Sequence, residues 1–356
     1  MRCSVHLSPR ILEDEHYAPV RQALTEQALE ADRAGFAGIV LTEHHLSTHN
    51  PYQNPLLFGC ALAPQIKRAH IVLATINPAI YHPLRLVESL NLLDQLLEGR
   101  LVVVFGPGYV DYELRAFGRD PADRARLFSD ALATTMELWR MQHGDLPISF
   151  DVAGERGLVH RPVLPPSFRR PHPLVGRATL TESTIGEMAK LGWPVVMATS
   201  DLEQVAQRMQ SYAEILNSSG HAAETIANAR RWTGLPRWIH VGRSDAEAEA
   251  QVTVTIERWL SDRRDTTVAT DPGAVSPNAP TNSIEKRRAA MPKDPVAFRA
   301  QVIHGSPATV TAALRKLEEA GVGHVLGLFM RDAGELDQVR TSFRLFCDQV
   351  LPSFRD

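Results

Sequence analysis

The sequence predicts an α/β fold of the TIM, or (β/α)8, barrel type, with insertions after the fourth and seventh units. Two patterns and the length carry that prediction. Short apolar runs alternate with segments of helical periodicity eight times along the chain. Runs such as Ile39-Val40-Leu41 and Leu101–Phe105 are continuous blocks, as expected of parallel strands covered on both faces. The 356 residues exceed a small domain and suit one barrel with insertions.

Cys3–Leu7 reads as the first strand. Val20, Ala23, Leu24, Ala28 and Ala31 then recur at helical spacing, and Gly35 stops that helix. Gly38–Leu41 is the second strand and Pro55–Ala63 a short apolar helix. Ile71–Ala74 is the third strand; Leu86, Leu90, Leu93 and Leu97 mark the helix after it, which closes at Gly99. Leu101–Phe105 and the helix Ala122–Met141 form the fourth unit. Gly144–His172, rich in Pro and Arg, interrupts the alternation and reads as an excursion, with a hairpin as one form it can take. Leu174-Val175 with the helix Thr181–Leu191, and Val195–Met197 with Leu202–Asn217, are the fifth and sixth units. Trp238–Val241 and Ala246–Leu260 begin the seventh. Ser261–Ala300, with its TDPG and SPNAPTNS clusters, has no convincing periodic pattern and reads as an active-site lid or a disordered segment. Val310, Leu314 and Leu317 share one helix face, Val325–Phe329 is the last strand, and Val339, Phe343, Phe346 and Val350 stripe a final helix stopped by Pro352. Residues 1–356 read as a single domain without internal repeats.

Hydrophobic residues make up 44% of the chain and charged residues 22%, an ordinary globular balance. The 38 basic and 41 acidic residues leave a net charge of -3, which gives no electrostatic footprint for nucleic acid or an anionic membrane. Cys3, Cys60 and Cys347 are far apart and form no C-x-x-C, pointing to a reducing compartment and away from a metal cluster. The N-terminal MRCSVHLSPR has no long apolar stretch of the secretory kind. No run reaches the length of about 18 apolar residues that spans a membrane. The expectation is a soluble cytoplasmic protein.

Thr42-Glu43-His44-His45 follows directly on the second strand. In parallel α/β proteins chemistry is done at the C-terminal ends of strands. A histidine, with an unperturbed pKa of about 6.5, can act there as a base near neutral pH. His44 and His45 are therefore candidate catalytic residues beside a carboxylate; the plainer alternative is a pair of loop histidines that bond backbone. Phe105-Gly106-Pro107-Gly108 closes the fourth strand. It fails as a dinucleotide fingerprint, because Asp111 stands where the third glycine belongs. Gly106 and Gly108 suit a turn that lets a ring or phosphate approach the backbone, or a tight turn with no ligand. Thr179, Thr181, Ser183 and Thr184 cluster where the fifth strand gives way to a helix. They make an anion site of hydroxyls and free N–H groups, or simply an N-cap at Thr181. His44, His45 and His49 lack metal-ligand spacing, and no G-x-S-x-G nucleophile elbow is present.

Taken together, these motifs resemble the bacterial luciferase-like flavin monooxygenases, and the luciferase α subunit in particular. Glu43–His45 resembles that family's strand-2 signature, and HPLR at 82–85 its H-P-x-R. NLLDQLLEGRL at 91–101 is similar to its N-L-L-D-Q…G-R segment. Gly108 through Phe117-Gly118, with Glu113 between, resembles its G-x-x-x-x-E-x-x-x-F-G run. RPHPLVG at 170–176, GSP at 305–307 and QVLPSF at 349–354 follow in the family's order. The resemblance implies a TIM barrel that binds reduced FMN (FMNH2) or, in one branch, F420. It implies O2 activation as a flavin 4a-peroxide, with the flavin carrying the hard chemistry. By the same resemblance, His44 is the catalytic base and His45 its neighbour in the site. Ala74-Thr75 takes the place of a cis non-proline peptide under the flavin ring. The Thr179–Thr184 cluster holds the FMN phosphate, and Ser261–Ala300 is the lid. Gly106 and Pro107 stand where the luciferase α subunit has a cysteine and an arginine, which argues against an aldehyde luciferase. The implied protein is a two-component, homodimeric monooxygenase supplied with FMNH2 by a separate flavin reductase. It would act on a small organic molecule, with secondary metabolism as a setting. The alternatives are an F420-dependent oxidoreductase on the same barrel and a non-catalytic flavin-binding partner subunit, which the retained Glu43–His45 disfavours.

Overall fold

The computed structural model describes residues 1–7, 17–46, 50–179, 181–197, 201–269, 299, 302–329 and 336–354, with only the backbone of 258–269 and 336. Strand β1 (Arg2–Leu7) turns Cys3, Val5 and Leu7 outward into the main core, so alternation turns Ser4 and His6 into a central lumen. Parallel pairing with β2 (Gly38–Leu41) runs from Ser4↔Gly38 to Leu7↔Leu41. It continues through β3 (His70–Ile76) and β4 (Leu101–Phe105) to β7 (Leu174–Thr179) and β8 (Val195–Met197). Strand β8 meets β9 (Gly234–Val241) at Val196↔Gly234, β9 pairs β11 (His324–Phe329), and Arg2↔His324 closes the ring. Eight parallel strands thus form a closed barrel. A further strand, β10 (Val302–Gly305), runs parallel to Trp238–Val241 of β9.

The helices form where their sequences supply caps and one apolar face. In α2 (Pro55–Leu62), the Asn54 side chain accepts from the Leu56 and Leu57 N–H groups, and Pro55 needs no partner at the first helical position. The GSP motif opens α10 (Pro307–Glu319): Ser306 is the N-cap and Pro307 follows it. In α3 (Pro83–Leu96), Leu86, Leu90 and Leu93 are fully buried against the barrel. Each such side chain contributes on the order of 1.5–3 kcal/mol by leaving water, so this face outweighs any propensity term of the helix. Helices α1 (Tyr17–Ala34), α5 (Arg124–Arg140), α6 (Glu182–Leu191) and α7 (Leu202–Ser218) fall where periodicity places them.

The lumen has two zones. Val40, Val72, Ala74, Val102, Val104 and Leu326 line one zone with apolar side chains from four strands. Below them Trp232 forms a floor, with the Arg2 guanidinium 5.0 Å from its ring centre and the His70 and His324 rings edge-on at 4.8 and 5.0 Å. Burial, aided by Arg2, pushes the pKa of His70 down to about 4 and that of His324 to about 3.

The excursion at Gly144–His172 contains an antiparallel hairpin, β5 (Ile148–Val152) and β6 (Glu155–Val159), turned by Ala153 and Gly154 at φ 52° and 80°. Three elements are additional to those the periodicity predicts. Helix α4 (Asp111–Ala116) has six residues, too few to show a period. Helix α8 (Ala223–Trp232) buries only Ala229 and Trp232, so it presents no stripe. Strand β10 buries only its two ends. The fifth barrel strand runs on to Thr179 through the polar Arg177, and the seventh helix, α9, spans Asp245–Ala269. Residues 261–269 of the expected lid are therefore helical, whereas 270–298 and 300 lie outside the described residues. The final stripe is α11 (Leu336–Leu345) followed by a wide helical turn at Phe346–Val350 and a tight one at Leu351–Phe354.

Candidate active site

Strand β2 delivers Glu43, His44 and His45 to the C-terminal mouth of the barrel. Glu43 is buried, with 8% of its surface exposed, and such a carboxylate needs partners. Its Oε2 accepts the Asn77 N–H at 2.9 Å and its Oε1 accepts the Tyr81 hydroxyl. Burial and Glu43 together raise the Tyr81 pKa well above its ordinary value. The Asn77 amide in turn donates to the Pro107 carbonyl at 3.2 Å. One buried carboxylate thus ties the end of β2 to the segment after β3, and Asn77 ties that segment to the turn after β4.

His44 Nδ1 lies 3.1 Å from Glu113 Oε1, on α4. A carboxylate only accepts, so in the neutral ring Nδ1 carries the proton and Nε2 the lone pair. The same Glu113 oxygen accepts the His45 backbone N–H at 2.9 Å, fixing the chain on both sides of the ring. Tyr109 stands edge-on to His44, its hydroxyl 3.4 Å from Nε2. His45 packs edge-on against Phe117, and its buried Nε2 lies 3.6 Å from Glu43 Oε1 with no hydrogen-bond partner. The arrangement can accept and return a proton at His44 Nε2.

The Ala74-Thr75 peptide is cis, and Ala74 faces the lumen. At Gly106 a Cβ would stand 3.0–3.1 Å from the Thr75 side chain, so glycine permits the end of β4 to pass this close. Gly108 has φ 68°, and a Cβ there would meet the Asn77 amide at 3.1 Å.

At the end of β7 the Thr181 N–H donates to Thr179 Oγ1 at 3.1 Å, and the Thr181 hydroxyl donates to Thr184 Oγ1 at 2.9 Å. Thr181 is the N-cap of α6 by position, but its side chain does not cap. The hydroxyls of Thr179, Thr181 and Thr184 therefore form a connected exposed set beside helix N–H groups, chemistry that suits a phosphate. Ser183 stands exposed on the same turn, outside that hydroxyl network. Glu182, a poor neighbour for an anion, is drawn off by Arg208 at 2.6 Å.

The structure brings His44, His45, Ala74, Thr75, Gly106 and Gly108 to linked strand ends, and gathers Thr179, Thr181 and Thr184 at another. Glu113, Tyr109, Tyr81, Asn77 and Glu43 are site residues that sequence reasoning did not single out for roles. Glu113 had one signal, its place in the run between Gly108 and Gly118. Among the described residues no group of three or more His, Cys, Asp or Glu is placed to hold a metal ion, and no helix is long and apolar enough to cross a membrane.

Residues 1–324 match the family model described as luciferase-like monooxygenase. The uncharacterized protein y4wF of Sinorhizobium fredii is 29% identical over 70% of this chain and 71% of its own length. The alkanal monooxygenase alpha chain of Photobacterium leiognathi is 20% identical over 96% of each chain. Among solved structures, the oxygenating constituent of 3,6-diketocamphane monooxygenase from Pseudomonas putida, a type II Baeyer-Villiger monooxygenase in complex with FMN, aligns with a TM-score of 0.76. It is 18% identical and the match covers 99% of this chain and 98% of that one. An F420-dependent secondary alcohol dehydrogenase aligns at 0.69, 15% identical, over 100% and 99%. At these identities the structural likeness shows the fold.

Proposed function

Because the chain belongs to the luciferase-like monooxygenase family, we propose that it is the oxygenating component of a two-component system, using O2 and FMNH2 from a separate flavin reductase to oxygenate a small organic substrate. The observation that carries this is the His44–Glu113 pair at the barrel mouth, which holds a lone pair at Nε2 beside the end of an apolar lumen. The FMN in the diketocamphane enzyme supports the cofactor. Bound reduced FMN supplies the electrons for dioxygen, one oxygen entering the substrate and the other leaving as water. Thr179, Thr181 and Thr184, with Ser183 on the same turn, hold the phosphate. Ala74, Thr75, Gly106 and Gly108 form the wall for the ring. His44 moves the proton, and His45 sits beside it over Glu43.

The protein works as a cytoplasmic homodimer beside its reductase. Its three cysteines are free thiols, and Leu57 on α2 and Leu92 and Leu96 on α3 expose 70%, 49% and 46% of their surface. Carboxylates at Leu57 and Leu92 together should convert the dimer to a monomer in sedimentation; an unchanged mass places the contact elsewhere.

A second reading, F420-dependent oxidoreduction, is favoured by Pro107, which puts no guanidinium after β4 for the FMN phosphate, and by the F420-dependent neighbour. Anaerobic titration with FMNH2 and with reduced F420, followed by air, separates the two. Binding of FMNH2 with O2 consumption on mixing is expected. Binding of reduced F420 alone, without O2 consumption, overturns the monooxygenase in favour of the second reading.

A further inference from the structure

The unused chemistry of the barrel lies on β1. His6 pairs in register with Val40, on the strand face that also carries Ser4. Around it the lumen is lined by Val40, Val72, Ala74, Val104 and Leu326. Both of its ring nitrogens are buried without a hydrogen-bond partner, which holds for no other histidine among the described residues. The imidazole deeper in the lumen is satisfied: His324 Nε2 lies 2.7 Å from Ser4 Oγ. An unpaired buried donor and acceptor is costly to keep, and it is a group for which an incoming ligand has the matching atoms.

We propose that His6 is the anchor of the organic substrate, and that the substrate is a mostly apolar molecule bearing one hydrogen-bonding oxygen, a ketone or alcohol, gripped by this imidazole. The assignment rests on the monooxygenase reading above. Burial, and His44 close by, hold the His6 pKa down to about 4, so near neutral pH the ring is an uncharged donor and acceptor. A neutral imidazole among aliphatic side chains offers no counter-charge to a carboxylate or phosphate, which disfavours an ionic substrate. Proximity to His44 sets the gripped oxygen next to the proton-moving group, and the hydrocarbon part lies against the valines.

The test uses cyclic ketones of roughly six to ten carbons, a common range for small-molecule ligands, each paired with the exomethylene hydrocarbon of the same skeleton, beginning with cyclohexanone and methylenecyclohexane. Binding is read by calorimetry on the protein with and without FMN. The wild type should favour the ketone over its partner by on the order of tenfold. His6→Leu should erase that preference, His6→Gln should restore part of it, and neither should change FMN affinity by more than about threefold. Imidazole 15N spectra of the unsubstituted protein give the answer without a variant that must fold. The ketone, and not its hydrocarbon partner, should displace a ring-nitrogen signal of His6. Equal or undetectable binding of both partners across the panel overturns the proposal, as does a preference that survives His6→Leu. Loss of FMN binding in His6→Leu and His6→Gln alone would overturn it too, by assigning the ring to the cofactor. Absence of FMN binding in the wild type instead counts against the cofactor, and the comparison without FMN still decides on His6.

Discussion

Glu113 and His44 are 69 positions apart, yet one carboxylate oxygen sets both the tautomer of the ring and the backbone that follows it. Losing His44 should lower turnover by roughly 10²–10⁴-fold, the range for a positioned acid or base, with FMN affinity nearly unchanged. Glu113 does not reach the reacting atoms and acts through His44, so its effect should depend on that ring. Glu113→Ala should cost kcat/KM heavily in the wild type and little when His44 is already alanine, which a double-mutant cycle measures directly. Additive losses would show that Glu113 works by another route. The candidate His44 was legible because it follows an apolar strand block. Its partner was not, because nothing in a linear pattern pairs the end of β2 with a six-residue helix after β4. His6 was hidden for the converse reason: inside a strand an inward histidine looks the same whether its nitrogens are bonded or not.

At the scale of elements, the junction of β7 and α6 carries the proposed phosphate site. Sequence alone left an N-cap and an anion site as rivals. In the structure Thr181 spends its hydroxyl on Thr184 and leaves the helix N–H groups without a side-chain cap, which supports the phosphate site proposed above. Removing the Thr181 and Thr184 hydroxyls together, as Thr181→Val with Thr184→Val, should weaken FMN more than riboflavin. Each lost charge-assisted bond is worth on the order of 1.5–3 kcal/mol. Equal weakening of the two ligands in a binding titration would move the phosphate elsewhere. Helices with a full apolar stripe, such as α3, were legible to within a turn. Helix α8 and strand β10 were not, because each fully buries only two of its residues rather than a repeating face. Strand β7 was shortened by reading for the same cause: Arg177 lays its guanidinium 3.9 Å over the Phe128 ring, a packing role that a hydropathy pattern scores as exposure.

The whole barrel is closed by Arg2↔His324, and the lumen at that level is built from imidazoles instead of aliphatic layers. This choice makes stability depend on acid. His6, His70 and His324 have folded-state pKa values of about 4, 4 and 3, lowered first by burial and then by His44 or Arg2, against about 6.5 in an unfolded chain. Above pH 6.5 both states hold these rings neutral, so their full contribution is present. Between pH 6.5 and about 4 the unfolded chain binds protons that the folded barrel refuses, and stability falls as the pH falls. Each ring contributes on the order of 1.4 kcal/mol per pH unit in that window, so the three together are large against a typical total stability. The urea midpoint should therefore drop between pH 7.5 and 5, ahead of any carboxylate titration. His70→Gln cannot be charged in either state, and should flatten the slope by about one proton while keeping a shape that fits beneath Ala37 and beside Trp232. A midpoint that does not move between pH 7.5 and 5 would mean that water or rearrangement lets the lumen imidazoles charge in the folded state, and that the barrel floor is softer than its ring contacts indicate.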